Sequence, residues 1–113
     1  MFIPQEQRQH GPDVKVGAIA AAINDTEEML HRDGWVNGNP RRLGCSQQCV
    51  GIALATVSRK NRIEYYRVNA VLLQAAHIQT GKQWGNITVW NDAEGRTIED
   101  VWDLFRIARE LVR

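Results

Sequence analysis

The chain has 113 residues, 43% apolar and 24% charged, which is ordinary for one globular domain and unlike a disordered chain. Its formal net charge of +1 excludes a strong global field that would draw it to nucleic acid or to a membrane. No apolar run approaches the roughly 18 residues of a membrane span, and the N-terminus lacks the apolar block of a signal peptide. We therefore expect a cytoplasmic protein with no membrane partner.

The first twelve residues are mostly polar and contain the helix breakers Pro4, Gly11 and Pro12. Chain termini of this composition are poorly ordered unless something holds them in place. The sequence therefore predicts a flexible arm over residues 1–12, followed by a single helical domain over residues 13–113.

The first helix is expected to begin at Asp13, whose carboxylate suits an N-cap position, and to end at Asp33. Between these residues, apolar side chains recur at the 3.6-residue spacing of one helix face. Gly34 follows directly and suits the left-handed conformation that closes many helices. A loop over residues 35–44 is predicted next, because its Asn-Gly and Asn-Pro pairs favour turns.

The second helix is expected to start after Ser46, a good N-cap residue, and to end within the basic segment 59–62. Gly51 and Ala55 lie one turn apart on this helix. Because both side chains are small, they would let another helix approach closely.

The third helix is predicted over residues 63–80, with Gly81 closing it. Its apolar stripe is wide, because Val71 and Ile78 widen it. A helix that is apolar this far round is expected near the centre of a bundle.

Polar and apolar residues alternate in the segment 86–90, and several of them are β-branched, which predicts a short strand. Trp35-Val36 is the candidate pairing partner of this strand. A turn follows, and then the last helix, for which Thr97 is the expected N-cap. Asp100 lies at the third helical position and forms a variant of the capping box. The predicted fold class is mainly α, a compact bundle of about four helices with a short β segment near 86–90.

Three pieces of the chain carry a family resemblance: Asp33-Gly34-Trp35, the segment 49–54 (Cys-Val-Gly-Ile-Ala-Leu), and the segment 90–97 (Trp-Asn-Asp-Ala-Glu-Gly-Arg-Thr). With the helices between them they span roughly residues 16–112. In these pieces the chain resembles an uncharacterised family of small proteins from actinobacteria and their phages. The resemblance implies a helical fold and an actinobacterial or phage origin, and it implies no chemistry.

The segment from Trp90 to Arg96 has two interpretations. Asx side chains bond to their own backbone in turns, so Asn91 and Asp92 would make a rigid corner that Trp90 pins to the core. Alternatively, Trp90, Asn91, Asp92 and Arg96 form a binding site for a ligand or partner on a loop that the scaffold holds in place.

The two cysteines and two of the histidines raise the question of catalysis or metal binding. Cys49 would lie near a helix N-terminus, where a thiol can become nucleophilic, with His77 as a candidate base. Cys45, Cys49, His31 and His77 would supply a Cys₂His₂ zinc shell. Neither set has the spacing of a known signature, so we favour reduced, packed thiols and expect no metal and no cofactor.

A basic stretch between residues 41 and 62 contains no acid and is a candidate polyanion-binding patch. Its cations are Arg41, Arg42, Arg59, Lys60 and Arg62.

The function that this sequence predicts is a non-enzymatic protein-interaction module. Trp84 and Trp102 are the candidate anchors for a partner protein or for a second copy in a homo-oligomer. Two alternatives stay open: a nucleic-acid or polyanion binder using the basic stretch, and a small cysteine-dependent enzyme or zinc-binding protein.

Overall fold

The computed structural model describes residues 3–37 and 48–113, with side chains from Val16 onward. Within these ranges the only extended pairing is an isolated parallel bridge between Trp35 and Gln48. The rest of the secondary structure is helical, in the order α1 (Ile3–Asp33), α2 (Val50–Asn61), α3 (Tyr65–Thr80), α4 (Ile87–Asn91) and α5 (Ile98–Leu111).

The predicted fold class is confirmed as a mainly helical bundle, but the short β segment near 86–90 is wrong. That segment forms α4, because the Asn86 side chain accepts a hydrogen bond from Thr88 N at 2.8 Å and caps a helical turn. Ile87, Trp90 and Asn91 are all buried, and their spacing is that of a helix face. Trp35-Val36 pairs elsewhere, since Val36 N donates to the Gln48 carbonyl at 3.0 Å.

α1 begins at Ile3, ten residues before the predicted start, and therefore includes most of the segment expected to be an arm. The run of Gln, Glu and Arg at residues 5–9 has high helix propensity, which outweighs the helix breakers Gly11 and Pro12. The predicted end is confirmed: Gly34 has φ 90° and its N–H donates to the Leu30 carbonyl at 2.8 Å. The flexibility of residues 1–12 stays a prediction.

α2 begins at Val50, so its N-cap is Cys49 and the predicted start after Ser46 is wrong. The Cys49 Sγ accepts a hydrogen bond from Ile52 N at 3.3 Å, which takes the place of the expected serine hydroxyl. Ser46 itself lies outside the described residues. The helix ends within the basic segment as predicted, with Arg62 in the left-handed conformation at φ 58°.

α3 and α5 have the ends that the sequence predicts, to within two residues. Gly81 closes α3 at φ 77°. Thr97 Oγ1 accepts from Asp100 N at 3.2 Å, and Thr97 N donates to Asp100 Oδ2 at 3.0 Å. The predicted capping box is therefore present in both directions.

The core lies between two pairs of helices, with α1 against α2 and α3 against α5. Trp90 and Phe105 are its largest fully buried side chains. α4 lies over α2 and α3, and its Thr88 approaches Gly51 so closely that a Cβ at Gly51 would overlap the Thr88 hydroxyl. Gly51 thus allows the close approach that the sequence predicts. No helix in the described part of the chain is long and apolar enough to cross a membrane.

Candidate functional site

The side chain of Asn91 is fully buried at the C-terminal end of α4. Its Oδ1 accepts hydrogen bonds from Trp35 Nε1 at 2.6 Å and from Val50 N at 3.0 Å. Its Nδ2 donates to the Val36 carbonyl at 3.2 Å and to Asp92 Oδ1 at 2.9 Å. Both lone pairs and both N–H groups of the amide are therefore occupied.

These bonds join three segments that are far apart in sequence. Val50 N belongs to the first turn of α2, where backbone N–H groups have no partner within the helix, and Asn91 supplies one. Asn37 strengthens the junction from the other side, because its Nδ2 donates to the carbonyls of Asn91 and Ala93, each at 3.2 Å. We call this junction of α4, the segment after α1 and the start of α2 the corner.

Trp90 connects the corner to the remaining helices. Its ring is fully buried, and its Nε1 donates to Gln79 Oε1 on α3 at 3.0 Å. The Gln79 amide in turn donates to the Asp100 carbonyl at 2.9 Å and to Asp103 Oδ2 at 3.3 Å, both on α5. One chain of hydrogen bonds therefore links α4, α3 and α5.

Arg96 closes the corner from the α5 side. Its guanidinium carbon lies 4.1 Å from the centroid of the Trp90 ring and 5.4 Å from that of Trp84, a cation–π arrangement with both. Its Nε donates to the Trp90 carbonyl at 2.8 Å, and Nη1 is 3.8 Å from Asp100 Oδ2. Burial lowers the pKa of the Arg96 guanidinium, and the Asp100 carboxylate opposes that shift.

All four residues predicted as a binding site, Trp90, Asn91, Asp92 and Arg96, thus have partners inside the protein. A ligand would have to break the bonds of Asn91 to reach its amide, whereas Asp92 is exposed. Binding by this set stays a prediction. Sequence reasoning missed Gln79, for which the sequence holds no signal, and the role of Trp35, which its place in the family motif could have suggested.

Cys49 is 3% exposed, and its sulfur is engaged as the N-cap of α2. The Tyr65 hydroxyl lies in the same buried region: burial raises the pKa of Tyr65, and the nearby Cys49 raises it further. Cys45 lies outside the described residues. The thiol therefore has a structural task and little access to solvent.

The two candidate histidines, His31 and His77, lie in different surroundings, and neither has Cys49 among the contacts described below. His31 stacks on Trp102, with ring centroids 3.8 Å apart, and its Nε2 is 3.9 Å from Glu27 Oε2. His77 is exposed, and its Nδ1 is 3.0 Å from the Lys82 carbonyl. Within residues 16–37 and 48–113, no three Cys, His, Asp or Glu side chains are grouped to hold a metal ion.

Of the predicted polyanion patch, Arg41 and Arg42 lie outside the described residues, and Arg59, Lys60 and Arg62 are exposed at the end of α2. Lys60 borders a cavity of about 130 Å³ between α1 and α2. Two carboxylates share this cavity with two cations, so its charge is mixed. Its lining residues are Asp25, Glu28, Met29, Arg32, Val57, Lys60 and Asn61.

The solvent side of α3 carries exposed side chains that recur along one face of the helix. Tyr66 is 62% exposed and Ile78 is 54% exposed, so the prediction that Ile78 widens a buried stripe is wrong. We define the outer face of α3 as Tyr66, Ala70, Gln74, His77 and Ile78.

Acidic residues are absent from this region of the sequence. Residues 65–91 contain no Asp or Glu, and the longer stretch 59–91 carries five Lys or Arg residues and one Glu. That carboxylate, Glu64, accepts from Arg67 Nε at 2.8 Å. The guanidinium carbon of Arg67 lies 5.2 Å from the centroid of the Tyr66 ring, so the charges on and beside the outer face of α3 are mostly positive.

Comparison with known proteins gives one match. The family of unknown function DUF6197 matches residues 15–111. No curated protein and no solved structure matches the chain. The matched span contains α2 to α5 and the part of α1 whose side chains are described, and thus the corner and the outer face of α3.

Proposed function

This chain belongs to the DUF6197 family of unknown function, and we propose that it is a non-enzymatic protein-interaction module that binds a partner protein on the outer face of α3. We also propose that it acts in the cytoplasm and that it comes from an actinobacterium or one of its phages. The last point rests on the resemblance of the three sequence pieces alone.

The observation that carries this proposal is the exposure of Tyr66 and Ile78 on a helix face without an Asp or Glu side chain, where the guanidinium carbon of Arg67 lies 5.2 Å from the centroid of the Tyr66 ring. The solvent face of a helix in a monomeric domain is usually charged. Tyr66 and Ile78 lie about 18 Å apart along α3 at 1.5 Å per residue, so each would act as a separate anchor, and tyrosine is over-represented among the residues that dominate binding energies.

The two tryptophans predicted as anchors fit this role less well. Trp84 is partly buried, and its Nε1 donates to Thr80 Oγ1 at 2.8 Å. Trp102 is partly buried under the stacked ring of His31. Because both rings already have partners in the bundle, we assign the anchoring role to Tyr66 and Ile78.

Site-specific photocrosslinking of the whole chain tests the proposal. A benzophenone amino acid replaces Tyr66 in one variant and Arg106, an exposed residue of α5, in the matched control. After irradiation in an actinobacterial lysate, we expect a discrete protein adduct from position 66 and none from position 106. Equal labelling from both positions, or no adduct from position 66, would contradict a docking role for α3.

A separate measurement decides whether the partner is a second copy of this chain. Sedimentation velocity from micromolar to millimolar concentration measures self-association directly. A dimer that disappears in a Tyr66→Glu variant would assign the face to a homo-oligomer, and a monomer throughout would assign it to another protein.

A second candidate function is polyanion binding by Arg41, Arg42, Arg59, Lys60 and Arg62. It is favoured by the exposure of the last three of these at the end of α2. Affinity for duplex DNA should then fall steeply with salt concentration, because phosphate contacts release counterions. An unchanged affinity after reversal of Arg59 and Arg62 to Glu would remove this candidate.

A further inference from the structure

We infer that the partner segment bound by the outer face of α3 is an acidic amphipathic helix. This inference rests on the proposed docking role of that face. The docking role needs only an exposed apolar face. The chemistry of the occupant follows from the shape of that face and from the sign of the charges at its ends.

The shape fits a helix of similar length. α3 has 16 residues, which is about 24 Å at 1.5 Å per residue. The large side chains Tyr66 and Ile78 lie near its two ends, and the small Ala70 lies between them. A second helix packed along α3 can approach the backbone at Ala70, while Tyr66 contacts it near one end of α3 and Ile78 near the other.

The charges select the sign of the partner. Arg62 and Arg67 lie at the N-terminal end of α3, and Lys82 lies just after its C-terminal end. The Lys82 side chain is exposed, and Arg67 forms a salt bridge with Glu64. No other carboxylate occurs between Arg59 and Asn91 in the sequence to balance these cations. Carboxylates flanking the apolar ridge of a partner helix would meet opposite charge at both ends.

Other occupants match the surface less well. A second copy of this chain docked face to face on α3 would bring like charges together near the ends of the helix, which opposes association. Nucleic acid would gain from the cations but would place phosphates against Ile78, which offers no hydrogen bond. An anionic lipid surface shares the charge preference and is distinguished in the test.

The test is a selection of helical peptides on the full-length chain. The library displays 18-residue helices with a fixed apolar stripe and with flanking positions randomised among Glu, Lys, Gln and Ser. We expect the enriched peptides to be rich in Glu. A Tyr66→Glu variant should weaken their binding at least tenfold, and Lys82→Glu by about fivefold, because a charge at the rim has a smaller effect than a central anchor. Arg106→Glu, which reverses a charge on α5, should leave the affinity unchanged.

The outcomes separate the two proposals. Enriched peptides that are neutral or basic, yet still lose affinity in the Tyr66→Glu variant, would overturn the acidic partner and leave the docking role standing. Peptides that bind equally well to the Tyr66→Glu variant, or a library without binders, would overturn both. Binding of vesicles containing phosphatidylserine, or of duplex DNA, that competes with the selected peptide and is tighter than the peptide would also overturn the acidic helix as the occupant.

Discussion

The corner buries a polar side chain, whereas the outer face of α3 exposes large apolar side chains. At the corner, the polar amide of Asn91 is fully buried and all four of its hydrogen-bonding positions are occupied. On the outer face of α3, the large side chains of Tyr66 and Ile78 are more than half exposed. Each region departs from the usual rule of polar outside and apolar inside.

The two departures have different consequences. A buried amide is costly unless its hydrogen bonds are made, so the complete set at Asn91 indicates that the corner determines the fold. An exposed apolar face adds little to the stability of the isolated chain, and under the proposed function Tyr66 and Ile78 act in binding. The comparison predicts that substitutions at the corner change stability, and that substitutions on the outer face change binding.

The largest expected effect is that of Asn91→Leu. The change keeps the volume but leaves Trp35 Nε1, Val50 N and the Val36 carbonyl without their partner, and we expect a loss of about 3 to 4 kcal/mol of unfolding free energy. Gln74→Leu makes a comparable change from amide to aliphatic side chain on the outer face of α3 and should alter stability by less than about 0.5 kcal/mol. Urea unfolding of both variants measures the difference, and similar losses would break the comparison.

A smaller effect is expected for Trp35→Phe. The change removes the donor that is 2.6 Å from Asn91 Oδ1, while Val50 N still donates to that oxygen. We expect a loss of about 1.5 kcal/mol, and a double-mutant cycle with Asn91→Leu should show strong non-additivity. If the two losses in unfolding free energy simply add, the indole of Trp35 and the amide of Asn91 stabilise the corner independently of each other.

The packing of α4 beside the corner is tested at Gly51. In the natural chain, Gly51→Ala should destabilise by up to about 1 kcal/mol, because its Cβ would overlap the Thr88 hydroxyl. In a Thr88→Ala background, the same change should stabilise by a few tenths of a kcal/mol, about the helix-propensity advantage of alanine in the first turn. Thermal unfolding of the four proteins gives both signs, and a single sign in both backgrounds would show that Thr88 does not constrain this position.

The smallest effect on stability, and the largest on binding, is expected for Tyr66→Glu. Position 66 lies in the first turn of α3, where a carboxylate is favoured by the helix dipole, so the unfolding free energy should change by less than about 0.5 kcal/mol. Binding at the outer face should nevertheless be lost. Ile78→Gln provides a second variant without a new charge, and both are compared with Val16→Ser, an exposed apolar position on α1.

The sequence predicts those parts of the fold that local chemistry determines. Gly34, Gly81 and the Thr97–Asp100 capping box end or begin helices through contacts within a few residues, and each is found as expected. The run Ile-Thr-Val favours extended structure and so predicts a strand at α4, whereas the Asn86 cap and the burial of Trp90 favour the helix that forms.

The site was harder to predict, because its contacts join residues that are far apart in the chain. The bond between Trp35 and Asn91 spans 56 positions, and no local pattern specifies it. The outer face of α3 could have been found, since the absence of acids from residues 65–91 is visible in the sequence. The wide apolar stripe of α3 instead predicts burial, although Ile78 is 54% exposed.

The most direct test of the account measures binding and unfolding on the same two variants, Tyr66→Glu and Trp35→Phe. Affinity for a peptide selected on the chain, whatever its charge, is determined by fluorescence anisotropy under conditions where both variants are fully folded. We expect at least tenfold weaker binding with an unchanged urea midpoint for Tyr66→Glu, and natural affinity with a lowered midpoint for Trp35→Phe. Natural affinity in Tyr66→Glu, or lost affinity in folded Trp35→Phe, would contradict the division between a structural corner and a binding face.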